Sequence, residues 1–165
     1  MKAKYDDCLQ TAPQLNLAEA WPASRFPDAE YRYFRDCGCL VCALTVLLRQ
    51  SGLADAALDP WVLNRRLIAC GAFTPAADLE LEYVERLYPL VYLGAEPWSR
   101  EGLCRAAEKG EPCLITLPGV HAENHFTALL CLTPDDALLF DPLYGEKRLS
   151  TCGRVCGIRR FRLYP

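Results

Sequence analysis

The sequence contains no long apolar run and no export signal. No segment approaches roughly 18 uninterrupted apolar residues, so no membrane-spanning helix is predicted. The N-terminal stretch MKAKYDDCLQ lacks the apolar segment of a secretory signal. We therefore expect a cytoplasmic protein whose ten cysteines stay mostly reduced.

An excess of charge of one sign is also missing. The 165 residues include 18 basic and 21 acidic side chains, which gives a formal net charge of −3. Nucleic-acid binding needs a concentrated basic surface, so this balance argues against a nucleic-acid partner. Four arginines do lie close together near the C-terminus, and we interpret them as a solvated strand face: Arg154, Arg159, Arg160 and Arg162.

Repeats and low-complexity segments are absent, and the length suits one compact domain. The content of 52% hydrophobic and 24% charged residues is typical of a globular protein. Residues 1–36 look irregular, because Pro13, Pro22 and Pro27 interrupt every periodic pattern. We interpret them as an arm wrapped on a single domain that spans residues 1–165.

Helical patterns occupy the first two thirds of the chain. The clearest helix is 39–50, which is apolar nearly all round and is followed by a Ser-Gly stop. A second helix is predicted over 59–71, where aspartate and proline form a start signal, and a third over 99–109. For 78–88 we favour a helix over an extended edge.

The last third is rich in strand formers separated by turn residues. A tight hairpin is predicted at 133–136 between two of the strands. Helices followed by an antiparallel sheet predict an α+β fold. The predicted strands are 112–117, 125–132, 137–141 and 155–163.

Cys39 is the candidate nucleophile, because it starts the buried helix. Free backbone N–H groups and the positive helix end stabilise a thiolate there, and the same N–H groups can hold an oxyanion. Gly38 leaves room for a substrate to approach. Cys37 precedes the helix and Cys42 lies one turn inside it, so both are weaker candidates.

The chain has two histidines, and His125 is the better candidate for the base because it opens a buried strand. His121 lies in a loop segment. Asp141 ends the next strand, and it can orient the imidazole only if the hairpin register pairs Thr127 with Asp141. Pairing Ala128 with Asp141 would turn His125 to the opposite face, and the hairpin length allows either register.

These residues lie within a wider resemblance. Residues 38–48, GCLVCALTVLL, resemble the nucleophile helix of papain-like cysteine peptidases similar to the bacteriocin-processing, double-glycine leader peptidases of bacteria and their phage relatives. Further matching segments follow in the family's order over roughly residues 37–146. They are DPWVLN at 59–64, GEPCLI at 110–115, HF at 125–126 and DPLYG at 141–145.

The resemblance implies a papain-like fold, with N-terminal helices and a buried nucleophile helix packed on a C-terminal antiparallel sheet. It implies thiol-dependent cleavage of a peptide or amide bond by Cys39, His125 and Asp141, with no metal or cofactor. The family's oxyanion side chain is a glutamine upstream of the cysteine. Gln14 is the best match to it, and Gln10 is the runner-up.

Other functions stay open at this point. A papain-like triad also serves acyl transfer, deamidation and cleavage of peptidoglycan cross-links, since all of these pass through a thioester. A binding protein that has lost activity would keep the fold alone. A zinc-binding module is the non-enzymatic alternative, with thiolates drawn from Cys37, Cys39, Cys42, Cys152 and Cys156.

Overall fold

The computed structural model describes residues 4–16, 19–119 and 123–164. The fold is α+β, with helices packed on a six-stranded antiparallel sheet of order β1-β6-β2-β3-β4-β5. The helices are α1 (Pro13–Asn16), α2 (Phe34–Cys37), α3 (Cys39–Gln50), α4 (Pro60–Ala69) and α5 (Arg100–Glu108). The strands are β1 (Leu90–Pro97), β2 (Cys113–Pro118), β3 (Asn124–Leu132), β4 (Ala137–Asp141), β5 (Gly145–Arg148) and β6 (Gly157–Leu163).

Helix α3 is the centre of the larger core, and its predicted bounds are confirmed. Its residues are buried on nearly every side, because the sheet covers one face while the N-terminal arm and α4 cover others. The helix ends where Gly52 takes a positive φ of 70°, and Leu53 donates its N–H to the carbonyl of Leu48.

The two other long helices begin at the caps that the sequence predicts. The Asp59 carboxylate accepts the N–H of Val62 at 2.8 Å, and Pro60 occupies the first position of α4. The Ser99 hydroxyl accepts the N–H of Gly102 at 3.0 Å and so starts α5. The segment predicted as a helix over 78–88 contains a shorter 3₁₀ helix, Leu81–Arg86.

The hairpin of β3 and β4 has the register that the triad requires. Ala128 pairs with Phe140, which places Thr127 opposite Asp141. His125 and Asp141 therefore point to the same side of the sheet, one diagonal step apart. The connection is the tight turn expected at 133–136, closed by the N–H of Thr133 donating to the carbonyl of Asp136 at 2.8 Å.

Two strands, β1 and β5, were not predicted. Strand β1 is interrupted by Gly94 at φ 111° and ends in Pro97, which weakens its strand signal, yet it pairs along nearly the whole of β6. Strand β5 has only four residues and pairs with β4. Both are edge strands of the sheet, where weak strand propensity is tolerated.

The N-terminal segment has little regular structure but contributes heavily to the core. Besides α1 and α2 it contains a 3₁₀ helix, Asp6–Cys8. Its larger side chains in the core include Tyr5, Cys8, Leu15, Trp21, Phe26 and Phe34. Much of the surface of α3 is therefore covered by chain that precedes it in sequence.

The sheet separates two hydrophobic clusters. Residues such as Leu114, Ala128 and Phe140 belong to the cluster that contains α3. Ile115 and Leu139 belong to the second cluster, which also includes Leu103 of α5. In the part of the chain that the structure covers, no helix is long and apolar enough to cross a membrane.

Candidate active site

Cys39 is the first residue of α3, and its side chain is free and 7% exposed. No side chain caps this helix, because the N-cap residue is Gly38. A Cβ at Gly38 would lie 2.4 Å from a ring carbon of Phe34, so packing against Phe34 requires a glycine here. Packing against Phe34 therefore accounts for the glycine, and the room that it leaves for a substrate stays a prediction.

The neighbouring cysteines lack the environment of a nucleophile. Burial, together with Cys39 and Asp36, raises the pKa of Cys37 to about 12, and its sulfur faces the carbonyls of Tyr31 and Tyr33. Cys42 is fully buried, which raises the pKa of its thiol well above the ordinary value. Both thiols are therefore held in the neutral form.

His125 joins the other two residues of the predicted triad. Its Nε2 lies 2.8 Å from Oδ1 of Asp141, and its ring also lies against the side chain of Cys39, which helps to raise the pKa of His125. The structure thus brings Cys39, His125 and Asp141 into one chain of contacts.

The surroundings of His125 favour the charged form of its imidazole. Burial by itself would lower the pKa of His125, but the hydrogen bond and charge of Asp141, together with the contact to Cys39, raise it to about 9. An imidazolium beside a cysteine sulfur is the arrangement that favours a thiolate, the form that attacks carbonyls.

The Asp141 carboxylate is 1% exposed and is held by three donors. Oδ1 accepts from His125 and, at 2.9 Å, from the N–H of Leu143, while Oδ2 lies 3.2 Å from Nζ of Lys147. Burial alone would raise the pKa of Asp141, yet these partners hold it below its usual value. Lys147 carries no signal in the sequence, because it meets Asp141 only when β5 folds back beside β4.

Cys39 opens into a cleft of about 770 Å³. One wall is formed by the loop after α4, where Ala77 has a positive φ of 64°. Asn124 and Phe126, on either side of His125, line the cleft together with Arg159 from β6. A space of this size next to the sulfur can hold a small ligand or a few residues of a peptide.

The structure does not bring Gln14 to this site. Gln14 is exposed, its amide donates to the carbonyl of Asp7 at 3.2 Å, and it is absent from the lining of the cleft. The resemblance pointed to it by position upstream of Cys39 alone, and the fold of the arm directs the side chain elsewhere.

Gln10, the second choice, has a different place. Its side chain is buried, and its Nε2 donates to the carbonyl of Arg35 at 2.6 Å, four residues before Cys39. Its backbone N–H donates to the carbonyl of Pro142 at 2.9 Å, directly after Asp141. Gln10 therefore connects the segment before Cys39 to the segment after Asp141. It does not line the cleft.

Two further side chains bear on the predictions. Trp21 lines the cleft, and its buried Nε1 has no hydrogen-bond partner within the described residues. His121, the other histidine, lies outside the part of the chain that the structure describes.

The cysteines do not assemble as a zinc site. All ten are free, and over residues 4–16, 19–119 and 123–164 no group of three or more histidine, cysteine or acidic side chains could hold a metal ion. The sulfurs of Cys37 and Cys152 instead face backbone carbonyls.

The chain matches no protein-family model, no curated protein and no solved structure. Its function must therefore be inferred from the chemistry of the cleft and of the side chains around Cys39.

Proposed function

We propose that this protein is a thiol-dependent hydrolase that cleaves a peptide or amide bond with Cys39, His125 and Asp141. The observation that carries the proposal is the position of His125, whose ring contacts both the Asp141 carboxylate and the thiol of Cys39. A nucleophile, a base and an orienting acid in contact are the components of nucleophilic acyl-transfer catalysis.

The cleft supports this proposal. A core histidine whose only role is packing needs no thiol beside it and no route for substrate. Here the thiol belongs to the first residue of a buried helix and lines a cleft open to solvent. Helices packed on an antiparallel sheet are compatible with a papain-like fold, and we propose that fold together with the activity.

The proposed reaction begins with attack of the Cys39 thiolate on the carbonyl carbon of the substrate. The resulting oxyanion accepts the backbone N–H of Cys39 at the start of α3. His125 donates its proton to the leaving nitrogen as the carbon–nitrogen bond breaks, which leaves an acyl thioester on Cys39. His125 then takes a proton from water, the hydroxide attacks the thioester, and the thiolate is released.

The first test is selective alkylation by iodoacetamide at about pH 6, where ordinary thiols are mostly neutral. Cys131 and Cys156 are exposed and serve as internal references within the same protein. We expect Cys39 to be alkylated faster than both, although it is largely buried, and peptide mass spectrometry measures the three rates. Equal or slower alkylation of Cys39 would contradict the proposal.

The second test asks whether the sulfur forms an acyl-enzyme. With p-nitrophenyl acetate, the thiolate forms a thioester and p-nitrophenolate leaves, so one equivalent of product should appear in a burst. The acetyl group should be found on Cys39 by mass spectrometry. We expect the burst to vanish in Cys39→Ala and to persist in the control Cys37→Ala. A burst that survives Cys39→Ala would overturn the assignment.

A further inference from the structure

Arg159 lies in the cleft on the sheet side. It belongs to β6, pairs in register with Leu114 of β2, and is half-buried. It lines the same cleft as Cys39, and it also lines a smaller adjoining hollow that extends towards Cys156. A substrate that is bound at Cys39 and extends along the cleft would therefore reach Arg159.

Three neighbours hold the guanidinium in place. Its Nη1 donates to Oγ1 of Thr116 at 2.5 Å, and its central carbon lies 4.6 Å from the centre of the Phe126 ring. It also hydrogen-bonds Tyr92, where it opposes the rise in the tyrosine pKa that burial causes. Such contacts fix the orientation of the side chain but do not neutralise its charge.

No carboxylate lies within ion-pair distance of Arg159 in the described part of the chain. The adjacent Arg160 is on the opposite face of the same strand and meets two carboxylates, Glu96 at 3.5 Å and Glu111 at 3.1 Å. A half-buried guanidinium is commonly paired with an anion, because its fork of N–H donors matches a carboxylate. Among the described residues, Arg159 has no such partner.

We infer that Arg159 forms a subsite that binds a carboxylate group of the substrate beside the scissile bond. The inference rests on the proposed hydrolase function and adds a substrate class to it. The carboxylate is either the C-terminus of a peptide or an acidic side chain, since both present the same two oxygens to the guanidinium.

The charges at the rim of the cleft refine the kind of anion that fits. Four acidic residues line the cleft and are exposed: Asp28, Glu30, Asp78 and Glu123. Their field repels a polyanion from the entrance, although water and salt screen it. Arg159 lies deeper, where a charge interaction is screened less. The arrangement therefore suits a substrate with one carboxylate in an otherwise neutral or basic segment.

The test compares alkylation of Cys39 by iodoacetate, which is an anion, and iodoacetamide, which is neutral. The charge of His125 is the same in wild type and in an Arg159 variant. A change in the ratio of the iodoacetate rate to the iodoacetamide rate therefore reports the other charges in the cleft. We expect this ratio to fall about three- to tenfold in Arg159→Gln, as expected for loss of one partly screened charge nearby. Arg159→Lys should retain most of it.

The matched control is Arg162→Gln, which removes an exposed charge from the same strand. It should leave the ratio within about twofold of wild type, as for a screened surface charge. A ratio unchanged by Arg159→Gln would overturn the inference while leaving the hydrolase proposal standing. If Cys39 resists both reagents, the hydrolase proposal fails and the subsite fails with it.

A protection experiment distinguishes the two sources of carboxylate. N-acetylglycine presents a C-terminal carboxylate, and the methylamide of N-acetylglutamate presents one on a side chain. We expect one of them to slow alkylation of Cys39 by iodoacetamide in a saturable manner in wild type and not in Arg159→Gln. The corresponding amides, N-acetylglycinamide and the methylamide of N-acetylglutamine, should not protect. Equal protection by acids and amides would contradict a carboxylate subsite.

Discussion

Two groups of charged side chains are held inside this sheet, and they differ in what they can do. At the β3–β4 end, the Asp141 carboxylate meets His125 at 2.8 Å and Lys147 at 3.2 Å. On the β1–β6 side, Arg160 meets Glu111 at 3.1 Å and Glu96 at 3.5 Å. Both groups combine partly or fully buried carboxylates with cations on neighbouring strands.

The difference lies in the proton and the nucleophile. An arginine keeps its proton throughout the accessible pH range, so Arg160 is a fixed cation that holds strands together. His125 can give up and take back a proton, and the thiol of Cys39 contacts its ring. An ion pair inside a fold is thus evidence of catalysis only where a group that can transfer a proton lies beside a nucleophile.

The largest expected effect comes from His125→Ala, which removes the imidazolium beside Cys39. Alkylation of Cys39 by iodoacetamide at about pH 6 should slow on the order of 10²-fold, because the thiolate loses its counter-charge. Peptide mass spectrometry gives the rate, with Cys131 and Cys156 as references that should not change. A loss of less than about threefold, small against a general acid–base contribution, would place Cys39 outside His125's influence.

The next effect is expected from Asp141→Asn, which keeps the shape of the side chain and removes its charge. The pKa of His125, about 9 in wild type, should fall, since the hydrogen bond and charge of Asp141 are what raise it. The chain has two histidines, so a pH titration of the imidazole NMR signals can follow His125 directly, with His121→Ala to assign it.

The raised pKa of His125 also makes the stability of the fold depend on pH. Because folding raises the pKa of His125, its pairing stabilises the fold fully below about pH 6.5, and that contribution is lost as pH rises through about 9. Asp141→Asn should reduce this dependence. Asp136→Asn, at the other end of β4, is the matched control and should leave the His125 titration unchanged. A shift of equal size in both variants would argue against a specific pair.

A smaller effect is expected from Lys147→Met. Lys147 shares the Asp141 carboxylate with His125, and its ammonium also faces the Tyr144 ring and Cys152. Without that competing cation the carboxylate should act more strongly on His125, so the pKa of His125 should rise. Alkylation of Cys39 should change by less than about threefold, because Lys147 is 25% exposed and its charge is partly screened.

The control for Lys147→Met is Lys147→Arg, which keeps the cation and should keep the wild-type titration of His125. A fall in the His125 pKa on replacing Lys147 with methionine would contradict the shared-carboxylate interpretation, and NMR titration measures it.

The smallest effect on reactivity is expected from Glu111→Gln, in the group of ion pairs around Arg160. The charge-assisted bond from Arg160 weakens, so the free energy of unfolding should drop by about 1–2 kcal/mol, measured by urea titration. Alkylation of Cys39 should stay within about twofold of wild type, since additive effects are expected for distant sites. A strong loss of Cys39 reactivity here would erase the distinction between the two groups.

Local signals in the sequence were sufficient for the main helices and for several strands. Asp59 and Ser99 cap their helices because a short polar side chain needs only the next few N–H groups. Strand β4 has the predicted bounds, since strand formers and a tight turn define both of its ends. The edge strands β1 and β5 were missed, because their pairing and not their composition makes them strands.

The candidate site was accessible to sequence reasoning only in part. Cys39 could be selected by its position at a helix start. His125 could be selected because the chain has two histidines and the other one is in a loop segment. The role of Gln10 could not be read, because it depends on which carbonyls the arm meets when it folds back. Arg159 carried no local signal that separates it from Arg160.

The sequence by itself determined the α+β order of elements and which residues could supply a thiol, an imidazole and a carboxylate, because short-range periodicity and side-chain chemistry are written in the chain. Tertiary structure decided the rest. The hairpin could form in two registers, and packing selected the one that points His125 and Asp141 the same way. Side chains alternate along β6, so Arg159 faces the cleft and Arg160 faces the opposite side of the sheet.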